Sequence, residues 1–170
     1  MSYAVTTIDS PLGRLQAVAS SHGLIAIGWP NTAAPVDSCH LLTHDPAHPI
    51  LARLADQLEA YFDGRRTAFD LALDCAGTVF QRAVWAELRR IGFGQTRTYG
   101  QIATAINRPK AARAVGAASA RNPLPIVTPC HRVVGADGQL TGFAGGLAAK
   151  QYLLGLEQGQ PTLDLALRTG

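Results

Sequence analysis

With 170 residues, 47% of them hydrophobic and 16% charged, and a formal net charge of +3, the chain has the apolar share of one ordinary domain or two small ones that fold without staples. No run approaches the roughly 20 apolar residues of a membrane span, and residues 1–7 lack the basic start and apolar core of a secretion signal, so a cytoplasmic protein is expected. Cys39, Cys75 and Cys130 are an odd set without CxxC spacing, which fits free thiols in a reducing compartment better than a disulfide framework.

The charge is unevenly placed. Residues 1–77 hold four arginines against eight acidic residues, a net of −4, whereas residues 78–157 hold ten basic residues against three acidic ones, a net of +7. A basic half beside an acidic half is the electrostatic footprint of a nucleic-acid-binding face on the second half.

Residues 4–8, 15–19 and 24–29 are short β-prone runs separated by turn-forming residues, and they predict an antiparallel meander. Residues 31–49 are rich in Pro, Ala and His without periodicity and predict a loop. Cys39, His40, His44 and His48 lie in it, but Pro46 and Pro49 interrupt a common helix face and the spacing fits no strong zinc pattern, so no metal site is expected. From Pro49, apolar residues recur at helical spacing through Phe62 and stop at Gly64. Residues 68–73 alternate like a further strand, and residues 74–77 read as a boundary. Cys75 sits beside Asp74, whose charge disfavours a thiolate, so it reads as structural.

Thr78 caps a helix whose predicted face is Val79, Phe80, Val84, Trp85, Leu88 and Ile91. Thr98 to Gln101 has capping-box spacing and opens a short helix; Asn107 to Pro109 breaks it, and Pro109 suits the first position of the next, which would bear Lys110 and Arg113. Two short helices and a tight turn match helix-turn-helix organisation. The second helix is dominated by Ala, Gly and Ser around Arg113. Such a surface serves either close helix packing or close approach to DNA, and composition does not choose between them. Residues 140–146 form a glycine-rich loop without the Lys-Ser/Thr ending of a phosphate loop, and residues 147–157 a closing helix.

The chemistry gathers at Pro129-Cys130-His131-Arg132-Val133-Val134. A thiol becomes a strong nucleophile only as thiolate, so a reactive cysteine needs a lowered pKa or a nearby proton acceptor. On the extended strand expected here, Cys130 and His131 point to opposite faces, and a bridging water would relay the proton. A buried structural cysteine is the competing reading of these residues alone.

Residues 121–134, Arg-Asn-Pro-Leu-Pro-Ile-Val-Thr-Pro-Cys-His-Arg-Val-Val, resemble the active-site signature of the 6-O-methylguanine-DNA methyltransferases, and the resemblance runs from about Gly77 to Glu157. Thr128 departs from the aliphatic residue usual before the proline, and Phe143 stands where a tyrosine is common. The resemblance implies an α/β (α+β) chain: an N-terminal domain over 1–76 with a sheet and helix in ribonuclease H-like outline, a mostly helical, winged helix-turn-helix-like DNA-binding and active-site domain over 77–158, and a tail over 159–170. It implies a monomer that needs no cofactor, metal or obligate protein partner. Its partner is double-stranded DNA containing alkylated guanine, repaired by a single-turnover alkyl transfer to Cys130.

Further roles follow from the same resemblance. His131 is the general base, oriented by Glu157; Tyr99 donates a proton near guanine N3; Asn122 stabilises the site. The alanine-rich helix enters the minor groove, with Ala112 and Gly116 allowing close approach, Tyr99 and Arg113 helping to push the nucleotide out and fill its place, and Lys110 and Arg121 meeting phosphates. Val133, Phe143, Ala144, Gly145 and Gly146 form the alkylguanine pocket. Three rivals are weaker: a lesion-sensing relative replaces the cysteine that stands intact here; a sequence-reading regulator needs base-reading side chains on its recognition helix; a cysteine hydrolase needs an oxyanion site that no residues announce.

Overall fold

The computed structural model describes residues 2–32, 36 and 41–160, and the chain divides into two compact units at Ala76/Gly77. The first unit is built on strands β1 (Ser2–Ser10), β2 (Gly13–Ala19), β3 (Leu24–Gly28) and β4 (Leu41–His44), in the order β3-β2-β1-β4. The predicted antiparallel meander is present in β1 to β3. Its first turn works because Ser10 Oγ donates to Gly13 O (2.6 Å) and accepts from Leu12 N (3.1 Å), while Gly13 takes φ +101°, which glycine adopts without strain.

Two expectations in this unit fail. Part of the predicted loop is β4, paired parallel to β1 from Ser2↔Leu41 to Val5↔His44. All four of its residues are exposed, so the strand buries no alternating face and leaves no pattern to read; its pairing with β1 defines it. Conversely, residues 68–73 form no strand. Gln57 Nε2 donates to Asp70 O and Gln57 Oε1 accepts from Asp70 N, both at 2.9 Å, so a side chain from the preceding helix satisfies the backbone that a partner strand would have paired. Only a bridge between Leu24 and Leu73 remains. That helix, α1 (Pro49–Phe62), starts at a proline and buries Leu51, Leu54, Leu58 and Tyr61 at the predicted spacing. Cys39 and His40 lie outside the described residues.

The second unit holds α2 (Val79–Leu88), β5 (Arg97–Thr98), α3 (Tyr99–Ala105), α4 (Ala112–Ala120), β6 (Val133–Val134) and α5 (Leu147–Glu157). Thr78 and Thr98 each accept from the backbone N–H three residues on, and Gln81 and Gln101 reciprocate, so both α2 and α3 open with full capping boxes. Val84, Trp85 and Leu88 are buried as expected, but Val79 is 79% exposed: at the first helical position it lies off the 84/85/88 face. Trp85 Nε1 donates to Ala118 O (2.9 Å) and ties α2 to α4.

The turn between α3 and α4 differs from expectation. Asn107 takes φ +60°, and Ala111 N bonds to Arg108 O in a separate turn, so α4 begins at Ala112. Pro109 and Lys110 therefore sit in the connection, not on the helix. Parallel pairing of β5 with β6 supplies the small wing-like sheet beside the helix pair. The expected fold class holds: a mixed sheet with one helix, followed by a mostly helical unit. Among the described residues no helix is long and apolar enough to cross a membrane.

Candidate active site

Cys130 does not lie on a strand. Cys130–Arg132 form one 3-10 turn that leads into β6. The tight turn separates successive side chains by about 120°, so Cys130 and His131 still diverge. The segment before it is held from Asn122, whose Nδ2 donates to Thr128 O (2.8 Å) and whose Oδ1 accepts from Leu124 N (3.0 Å). Ile126 is held at φ +74°, an uncommon conformation for a β-branched residue that this tethering maintains. Thr128 is fully buried, and its hydroxyl accepts from Arg89 Nη1 (3.3 Å), so the departure from an aliphatic residue leaves no buried polar atom unsatisfied.

Below the cysteine lies a buried charge network. His131 Nε2 is 2.8 Å from Glu157 Oε1, and Arg132 binds the same carboxylate through Nε (2.9 Å) and Nη2 (2.8 Å) while Nη1 donates to Ile91 O (2.6 Å). Burial alone pushes the Glu157 carboxyl up, but the hydrogen bonds and charges of His131 and Arg132 carry it down to about 2, so it is ionised at neutral pH. Burial lowers the His131 pKa against the pull of Glu157, with the charges of Arg132 and Lys150 adding to the lowering, so the ring is neutral. A carboxylate only accepts, so Nε2 carries the proton and Nδ1 the lone pair. That Nδ1 is buried and has no hydrogen-bond partner among the described residues. The arrangement is a base with its tautomer locked.

Cys130 is 8% exposed, and burial pushes its thiol up. Four features oppose this: the Asn122 side chain, the charge of Lys150, and the backbone N–H groups of Cys130 and His131. Each stabilises the thiolate.

A largely apolar cavity of about 760 Å³ lies in the same unit. Tyr99, Ala112, Arg113, Gly116, Phe143 and Ala144 all line it. Gly116 leaves the wall flat: a Cβ there would meet the Tyr99 ring at 3.8 Å. Tyr99 Oη is 2.7 Å from Thr141 Oγ1, and both residues line the cavity. Val133, Gly145, Gly146, Lys110, Arg121 and Asn122 do not line it, and neither does Cys130. Val133 is instead a buried support, its carbonyl accepting from Lys150 Nζ (2.6 Å). The surface charge is smaller than the residue count implies, because Arg132 and Lys150 are buried and Arg90 and Arg97 pair with Glu87. Arg113, Lys110 and Arg121 are exposed.

Three residues of this site escaped the sequence reading. The motif marks Arg132 only as its fourth residue, the loop pattern marks Thr141 only as a loop residue, and Lys150 enters only in the basic count. Lys150 has a legible signal: with Leu153, Leu154 and Glu157 it follows helical spacing on the buried face of α5, where a lone lysine is out of place.

Comparison with known proteins extends over both units. The family model described as 6-O-methylguanine DNA methyltransferase, DNA binding domain, matches residues 79–159, and the model described as the ribonuclease-like domain of the same family matches residues 3–75. The chain is 45% identical over 161 residues to the methylated-DNA–protein-cysteine methyltransferase of Mycobacterium tuberculosis, covering 95% of this chain and 96% of the relative. It is 42% identical over 157 residues to that of Methanosarcina acetivorans, covering 92% and 98%. Among solved structures, Mycobacterium tuberculosis OGT in complex with DNA superposes with a TM-score of 0.85 at 41% identity, over 99% of each chain.

Proposed function

This chain belongs to the 6-O-methylguanine DNA methyltransferase family, and on that premise we propose that Cys130 is the acceptor to which it transfers the alkyl group of O6-alkylguanine in duplex DNA. The family's reaction is DNA repair by alkyl transfer to a protein cysteine, which makes the protein a transferase. The observation that carries the assignment to these residues is the buried, neutral His131, locked by Glu157 with a lone pair on Nδ1, next in sequence to a buried thiol that Asn122, Lys150 and two backbone N–H groups pull back toward the thiolate against burial.

The reaction begins outside the pocket. A damaged base cannot react inside the stack, so its nucleotide rotates out at a cost of a few kcal/mol, smaller for a pair that alkylation has already weakened. The Ala/Gly surface of α4 approaches the minor groove through Ala112 and Gly116, Arg113 fills the vacated place, and Lys110 and Arg121 neutralise phosphates. The extruded base enters the cavity between Tyr99 and the glycine-rich loop. Phe143 forms its aromatic wall without a hydroxyl, and the backbone at Ala144 meets the guanine edge, while Val133, Gly145 and Gly146 stay outside the cavity lining.

His131 Nδ1 then takes the Cys130 proton through a bridging water, and Glu157 stabilises the imidazolium that forms. The sulfur electron pair forms the S–C bond as the C–O6 bond breaks. Its electrons return to oxygen, the carbonyl re-forms, and Tyr99 donates the proton that lets guanine leave neutral. The alkyl carbon comes from the base and the electron pair from sulfur, so no metal or cofactor has a step to perform. A thioether is not reversed by these residues, so each molecule acts once. In this reading the domain over 77–158 binds DNA and reacts, the domain over 1–76 supports it, 159–170 is a tail, and the protein works as a cytoplasmic monomer.

A duplex containing one O6-methylguanine tests this from the DNA side. After incubation, digestion and chromatography should recover guanine in amounts that stop at one equivalent per protein molecule, and Cys130→Ala should bind the duplex without restoring guanine. Recovery continuing past one equivalent, or persisting in Cys130→Ala, would refute it.

A further inference from the structure

The proposed reaction gives no task to Lys150, yet Lys150 is among the most fully buried side chains of the protein, 1% exposed. The chain has only two lysines, and the other, Lys110, is exposed. Taking an ammonium out of water is costly unless an anion or good acceptors replace the solvent. Among the described residues no carboxylate pairs with it. Nζ donates to Val133 O (2.6 Å) and Thr141 O (3.3 Å) and lies 6.0 Å from the centre of the Phe143 ring. Two carbonyls and a ring face leave one of its three N–H donors and the full unit charge unmatched.

The surrounding charges narrow what completes the set. From α5 itself, Glu157 is engaged by His131 and doubly by Arg132. On the turn that carries the thiol, Arg132 is neutralised by Glu157, and His131 is uncharged. From α2, Arg89 reaches Thr128; from α3, the Tyr99 hydroxyl is bonded to Thr141. The remaining group is Cys130. Burial lowers the Lys150 pKa, and the one charge that raises it again is that of Cys130; reciprocally, Lys150 favours the thiolate.

We propose that Lys150 is a positioning residue for alkyl transfer, its buried ammonium serving as the counter-charge of the Cys130 thiolate and its bonds to Val133 and Thr141 tying the glycine-rich loop to the strand that follows the cysteine. The inference rests on the reading of Cys130 as the acceptor. Because α5 presents Lys150 and Glu157 seven residues apart on one buried face, a single helix delivers the cation for the sulfur and the anion for the histidine.

The test uses the full chain without DNA. Carbamidomethylation of Cys130 by iodoacetamide is followed by peptide mass spectrometry across pH in the parent protein, Lys150→Met and Lys150→Arg. Lys150→Met should raise the midpoint by about one pH unit, a roughly tenfold loss of reactivity at neutral pH, with equal rates above both midpoints; Lys150→Arg should recover part of the shift. A Lys150→Met midpoint equal to the parent's, or Lys150→Arg behaving as Lys150→Met, overturns the proposal. Should Lys150→Met not fold, the unsubstituted lysines serve. In protein labelled with 13C at lysine Cε, carrying Cys39→Ser and Cys75→Ser, methylation of Cys130 by iodomethane should shift the Lys150 signal and leave Lys110 in place. An unmoved Lys150 signal overturns the proposal equally. Neither measurement involves damaged DNA, so failure here is distinct from failure of the alkyl-transfer reading.

Discussion

Glu157→Gln keeps the side chain's shape and removes its charge, and the structure sets the size of the effect. The carboxyl titrates at about 2 in the fold against an ordinary 4.5, a difference of about 2.5 units; at 1.36 kcal/mol per unit this contributes about 3 kcal/mol. A second route agrees: stripping one partner from a buried ion pair costs about 3–5 kcal/mol, because Arg132 is left buried against an amide. The sign follows from the depressed pKa. The stabilisation is complete above pH 4.5 and is lost as pH falls from 4.5 towards 2. Urea denaturation followed by Trp85 fluorescence in a Trp29→Phe background reports on the second unit. Glu157→Gln should be about 3 kcal/mol less stable at pH 7, with the gap closing between pH 4.5 and 2. A gap below about 1 kcal/mol at pH 7, or one that does not change with pH, would show that the carboxylate is not held as described.

Three other substitutions probe the remaining parts of the site. Asn122→Ala removes the bonds to Thr128 O and Leu124 N, and should cost about 1–3 kcal/mol in urea denaturation while raising the pH at which Cys130 reacts with iodoacetamide. Tyr99→Phe keeps the aromatic wall and loses the proton donor; in single-turnover assays the transfer rate should fall about 10- to 100-fold with duplex affinity nearly unchanged. Arg113→Ala, at an exposed cavity-lining position, should slow transfer from duplex DNA while leaving the reaction with free O6-methylguanine base at the parent rate. Equal losses on both substrates would remove Arg113 from base extrusion.

The elements legible from sequence are those specified locally. Thr78 with Gln81 and Thr98 with Gln101 announce their capping boxes within four residues, and the apolar spacing of Leu51, Leu54, Leu58 and Tyr61 announces α1. The Cys130 to Glu157 site was legible through its motif, and His131 and Glu157 do meet. What was not legible depends on distant partners. β4 exists through β1, the non-strand at 68–73 through Gln57, and the start of α4 through a turn that Asn107 permits at positive φ. The 3-10 turn at Cys130 reads as a strand in the sequence because a short apolar run has no periodicity to distinguish the two. In the sequence Lys150 is one basic residue among ten, and only its bonds from α5 to Val133 and Thr141 make it part of the site.

The proposed repair reaction requires that one sulfur, that of Cys130, receive the alkyl group. Intact and peptide mass spectrometry after incubation with a duplex containing a single O6-methylguanine reads this directly. One added methyl group is expected on the peptide that contains Cys130 and none on those containing Cys39 or Cys75. Tight binding of the duplex with no methyl gained, or a methyl gained at another residue, would contradict it.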